Sequence, residues 1–183
     1  MSEPVVFVVR GKPEPQGNAK GFVVKGKNGA KDRAVVATGV KSSTPLGGWR
    51  ADLAEGARDA MESRPLLDGP LRVRVVFVFP RPAGHYLPAN SRRPVRQLRG
   101  DAPVYHCGKP DVDKLQRALL DALKLVVWHD DSQVADIRAR KVYEVEAVPG
   151  TSGRAWQPGA IVEVDAALGT APEWLGRGTM GTA

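Results

Sequence analysis

The sequence has one cysteine, three histidines, no apolar run as long as a membrane span, and no acidic residue between Asp68 and Asp101. Cys107 alone cannot form an internal disulfide, which makes a reducing cytoplasm the expected compartment. A stretch of roughly eighteen apolar residues is needed to span a bilayer, so no membrane association is expected. The first ten residues carry Glu3 and Pro4 ahead of a valine-rich run, with neither a basic n-region nor a small-residue cleavage site, so no export signal is expected. His85, His106 and His129 are scattered, and one cysteine cannot supply a thiolate cluster, which makes zinc a poor fit. No internal repeat is present.

Positive charge occupies the acid-free span, in Arg72, Arg74, Arg81, Arg92, Arg93, Arg96 and Arg99. A second basic stretch holds Arg10, Lys12, Lys20, Lys25, Lys27, Lys31, Arg33 and Lys41 against only Glu14 and Asp32. Either stretch alone is explained by a solvated, solubilising loop. Two of them in 183 residues with a net charge of +7 point toward phosphate contact.

The length suits one compact domain with a real core. Val5–Val9 reads as a strand buried on both faces, and the glycine- and lysine-rich segment 11–43 as a long loop or extended hairpin. Thr44-Pro45 is a helix-start signal, and Trp49, Leu53, Ala57, Ala60 and Met61 follow at helical spacing, predicting a helix over 45–62. Leu71, Val73, Val75, Phe77 and Phe79 share one face of a predicted central strand that is apolar on both faces at its far end. Segment 81–108 is broken by prolines and glycines and reads as a long functional loop. Val112, Leu115, Ala118, Leu119, Ala122, Leu123 and Val126 then mark a second amphipathic helix, led in by Lys109-Pro110-Asp111. After Asp130-Asp131 the period changes to two, with Ile137, Ala139, Tyr143, Val145 and Ala147 on one side. A last short strand is expected over 160–164, and residues 166–183 read as a flexible tail after a domain spanning 1–165.

The acidic residues around the second helix form the clearest chemical pattern. Asp111 and Asp113 bracket Val112 at the helix mouth, where capping alone would explain them. Asp113, Arg117 and Asp121 recur at intervals of four, which a salt-bridge ladder would also explain. Asp130 and Asp131 are adjacent and repel unless a cation or solvent offsets them. Lys141 falls on the otherwise apolar side of the next strand, where it must snorkel out or meet a carboxylate. Oxygen donors of this kind suit a hard cation such as magnesium, and magnesium in a basic protein suggests phosphodiester chemistry.

The segment Gly108-Lys-Pro-Asp-Val-Asp-Lys-Leu-Gln-Arg-Ala-Leu-Leu-Asp-Ala-Leu123, then Asp130-Asp-Ser-Gln-Val134 and Lys141, resembles the RusA-type Holliday junction resolvases of bacteriophages and prophages. Pro13, Pro15 and Gln16 after the first strand and Phe79-Pro-Arg-Pro82 extend the likeness. The resemblance implies an α/β (α+β) single domain with a mixed sheet and two main helices. It also implies a homodimeric crossover junction endodeoxyribonuclease acting in DNA recombination and repair in a bacterial host cell. Asp111, Asp113 and Asp131 then correspond to the family's acids, binding Mg2+ (with Mn2+ as the expected substitute) at one site per subunit. Arg117 and Lys141 would stabilise transition-state charge, while Lys114, Arg81, Arg92, Arg93, Arg96 and Arg99 would contact branched DNA, above all four-way junctions. Two positions depart from the pattern. Lys114 stands in place of the usual Asn, where it would either weaken metal binding or touch DNA, and Arg117 replaces a Lys. The competing expectations are a less selective nuclease for forks and flaps, and a non-catalytic DNA-binding protein.

Overall fold

A computed structural model describes residues 3–17, 20–25, 31, 33–37, 41–88, 97–145 and 155–167. Arg92, Arg93, Arg96 and the segment 168–183 lie outside the described residues. The chain runs β1 (Val5–Arg10), β2 (Lys20–Val24), β3 (Arg33–Ala37), α1 (Pro45–Met61), β4 (Leu71–Phe79), α2 (Val112–Leu123), β5 (Val134–Tyr143) and β6 (Gly159–Ala166). Four strands form a mixed sheet in the order β1-β6-β4-β5, in which only β4 and β5 are parallel. The α2 helix makes the crossover that a parallel pair requires. This is a single-domain α+β fold, as the resemblance implied.

Thr44 caps α1, its hydroxyl accepting from the Gly47 N–H at 3.1 Å, with Pro45 at the first helical position. The apolar stripe Trp49, Leu53, Ala57 and Met61 is buried together with Leu115, Leu119 and Leu123 of α2. Both stripes join the sheet face formed by Val5, Phe7, Val9, Val73, Val75, Phe77, Val162 and Val164. The β4 strand is central, and at its C-terminal end Val78 and Phe79 are buried on opposite faces, as the sequence predicts.

Strand β1 departs from expectation. It alternates buried and exposed residues, and Val6 and Val8 are 54% and 63% exposed, because β1 is an edge strand with one face turned away from the core. A continuous valine run does not distinguish this from a fully buried strand. Segment 11–43 contains a hairpin, β2 pairing antiparallel with β3. At the start of β6, Gly159 has φ +154, and a Cβ there would lie 2.0 Å from the Val9 carbonyl oxygen. Only glycine permits that approach of β6 to β1.

Candidate active site

Asp111 stands at the N-cap position of α2, yet its carboxylate makes no capping bond to a helix N–H. It pairs instead with Lys114, Nζ to Oδ2 at 2.9 Å. That ammonium holds the Asp111 carboxyl below the usual carboxylate range, and the Lys114 pKa is raised in return. Asp113 lies one residue into the helix and is exposed. A capping bond therefore does not explain Asp111, and both acids are exposed at the positive end of the helix dipole.

The loop that leads into these acids is held by Lys141. Its Nζ donates to the carbonyl oxygens of Gly108 and Pro110, both at 2.7 Å. The lysine on the apolar side of β5, read from sequence as one that must snorkel out or meet a carboxylate, thus meets two backbone carbonyls. The segment before the loop is also attached to β5, the His106 N–H donating to Lys141 O and the Tyr143 N–H to Val104 O, each at 3.0 Å. Residues 104–106 cover the free edge of β5 and fix the approach to Asp111.

Asp131 lies elsewhere. It opens the turn Asp131–Gln133 ahead of β5, and its Oδ1 accepts from the buried Trp128 indole Nε1 at 2.9 Å. Beside it, Asp130 takes Lys124 Nζ at 2.6 Å and the Ser132 N–H at 3.0 Å, and both contacts pull its pKa down. Lys124 ends α2, whereas Asp111 begins it. Twelve helical residues separate the two ends, a span of about 18 Å. Among the described residues no three His, Cys, Asp or Glu side chains converge closely enough to hold a metal ion. The oxygen-only pair Asp111 and Asp113 still suits magnesium, which is commonly held by one or two carboxylates with waters and substrate phosphate completing its shell.

The cations named from sequence separate into different roles. Arg117 is exposed on α2 and makes no ion pair among the described residues, whereas Asp121 pairs with Arg50 at 3.6 Å, so the salt-bridge ladder that is the alternative explanation of the spacing does not form. Arg81 is a correction to the DNA-contact set. It is buried, donates through Nη1 to Pro103 O at 2.8 Å and through Nε to Glu144 O at 3.2 Å, and lies over the Tyr143 ring. Arg99 is exposed but doubly bonded to Asp101. Arg72 and Arg74 meet Asp165 and Glu163 across the sheet.

Two positioning residues were not identified from sequence. Trp128 orients Asp131, a role that its place in a hydrophobic run conceals. Gln133 accepts from the His129 and Asp130 N–H groups and donates to Leu67 O, holding the acidic turn against the segment before β4. The spacing Asp130-x-x-Gln133 is a capping-box signal that could have revealed it.

The chain resembles an uncharacterized protein, YqaN, of Bacillus subtilis (strain 168), at 28% identity over 142 residues, covering 78% of this chain and 89% of that protein. Residues 12–152 match the model of the family described as Endodeoxyribonuclease RusA, a span that contains the helix-mouth acids, the Lys141 clamp and the Asp130-Asp131 turn. The chain belongs to the RusA endodeoxyribonuclease family.

Proposed function

We propose that the protein is a magnesium-dependent, structure-specific endonuclease that resolves four-way DNA junctions by paired nicks during recombination and repair, working as a homodimer. The observation that carries this reading is the exposed Asp111–Asp113 pair at the mouth of α2, with no capping bond from Asp111 and its approach fixed by Lys141, in a chain of the RusA endodeoxyribonuclease family. Asp111 and Asp113 would hold the cation together with a DNA phosphate. Magnesium, when bound, supplies Lewis acidity toward the phosphate and lowers the pKa of a coordinated water. Arg117 projects from the same helix one turn beyond Asp113 and offsets the charge that develops on the phosphate. Lys141 acts indirectly, by holding the Gly108 and Pro110 carbonyls so that Asp111 keeps its place.

The homodimer also accounts for Asp131. Within one chain this acid and the helix-mouth pair lie at opposite ends of α2, so a site using all three takes Asp131 of the partner subunit. Each nick then depends on the dimer, and two equivalent sites related by a two-fold axis suit cleavage of two opposing strands. The test is incubation of purified protein with a labelled four-way junction, a fork and a linear duplex, with magnesium or with chelator. Symmetric cuts in the junction that require magnesium are expected. Equal cutting of forks would replace junction resolution with the broader branched-DNA activity, and binding without cutting under any metal would end the nuclease reading.

A further inference from the structure

A pocket of about 390 Å³ opens beside the mouth of α2 and reaches Lys109 and Pro110, the two residues before Asp111. Phe79, Pro13, Pro15 and Pro80 give it a largely apolar lining. The His106 imidazole completes that lining and stacks on Phe79 with ring centroids 4.2 Å apart. Lys12 and Lys109 also border the pocket, both exposed, with Glu14 3.6 Å from Lys12.

Four buried side-chain polar atoms of the described residues lack a hydrogen-bond partner, and one of them, Nδ1 of His106, belongs to a residue of this lining. Gln16 follows Pro15, and its backbone N–H donates to Lys114 O at 3.0 Å, which attaches this side of the pocket to α2. Buried groups of this kind are normally satisfied, so an orphaned imidazole nitrogen on a residue lining an open pocket calls for a ligand with its own donors and acceptors. Burial, and then the charge of Lys141, lower the His106 pKa, and a neutral imidazole has one nitrogen to donate and one to accept.

We propose that this pocket receives an unstacked nucleobase from the nucleotide next to the phosphate held at Asp111 and Asp113. This inference rests on the nuclease reading and adds to it a means of choosing the cleavage site. A phosphate would lose its hydration against Phe79 and the prolines, whereas a flat base gains by stacking on aromatic and apolar side chains. Lys12 and Lys109 suit the phosphates on either side of that base. The pocket walls are held in advance, one by Lys141 on Gly108 and Pro110, the other by Gln16 on Lys114. Extracting a base costs least where stacking is already interrupted, so a branch point gives up its base more readily than linear duplex does.

The test replaces each base within a few nucleotides of the branch point in turn by 2-aminopurine and reads its fluorescence on binding in chelator, apart from any cleavage. At one position the junction should brighten by about threefold or more, and linear duplex should not. His106→Ala should abolish the rise while shifting junction affinity by less than about threefold, because backbone phosphate contacts dominate affinity. Pro80→Trp, at an exposed position of the lining, should also abolish it by plugging the pocket without touching the core. The inference is overturned if no position brightens on a junction that the protein binds and cuts, or if the rise survives both variants. A protein that brightens the probe yet cuts no DNA with magnesium would keep the pocket and lose the nuclease.

Discussion

Lys114 Nζ lies 2.9 Å from Asp111 Oδ2, so the residue that departs from the family pattern occupies the carboxylate that a metal would use. A cation arriving at Asp111 must displace an ammonium three residues along the same helix. Lys114→Asn should therefore lower the magnesium concentration for half-maximal junction cleavage. An unchanged requirement with weaker binding would make Lys114 a DNA contact instead.

Asp113→Asn separates structure from chemistry. The side chain is exposed in the first turn of α2, so stability should change by less than about 0.5 kcal/mol. Junction binding should persist while cleavage falls by orders of magnitude. Near-normal cleavage at saturating magnesium would remove Asp113 from the proposed metal site.

Mixing Asp113→Asn with Asp131→Asn protein tests whether the two ends of α2 meet across a dimer. Each variant alone should be inactive. Heterodimers regain one intact site if Asp131 of the partner subunit completes it, so the mixture should recover single nicks. Mixtures as inactive as their components would show that each chain completes its own site.

Trp128→Phe removes the indole N–H from Asp131 Oδ1 while retaining most of the buried ring volume. The cost should be about 1–2 kcal/mol in denaturant melts, and cleavage should fall about tenfold with junction affinity retained. Full activity would show that the Asp131 carboxylate needs no such support.

Asp165 provides a structural control away from the site. Its bond to Arg72, Nε to Oδ1 at 3.0 Å, is the main cause holding its pKa below the usual range. A lowered folded-state pKa stabilises the protein above the unfolded value of about 4, and that contribution is lost as the pH falls through the folded value. Asp165→Asn should cost on the order of 1 kcal/mol at pH 7, reduce the loss of stability on acidification below about pH 4, and leave cleavage unchanged.

Local pattern carried much of the architecture. Thr44-Pro45, the α2 stripe and the alternation of β4 each predict their element, because capping and side-chain period act within a few residues. The helix-mouth position of Asp111 and Asp113 was legible for the same reason. The burial of β1 was not, since Val5–Val9 carries no mark of whether a second layer covers its outer face. The acid-free span was also misleading as an expectation of free positive charge: Arg72 and Arg74 find Asp165 and Glu163 about ninety residues away through the register of β4 with β6.

The sequence by itself determined which residues are candidates for the chemistry, because acids at a helix mouth, an adjacent acidic pair and a misplaced lysine are recognisable from spacing alone. The tertiary structure decided what Lys141 touches and where the two groups of acids lie relative to each other. Antiparallel packing of α2 against β5 puts Lys141 beside Gly108 and Pro110 and leaves Asp131 near Lys124, so one chain divides the acids between two ends of a helix. Spacing along a chain gives the face and end of an element that a residue occupies. Only the packing of elements with large sequence separation sets which ends meet, and here it gave Lys141 the Gly108 and Pro110 carbonyls, whereas the Asp111–Lys114 and Asp131–Trp128 contacts are each made within three residues along the chain.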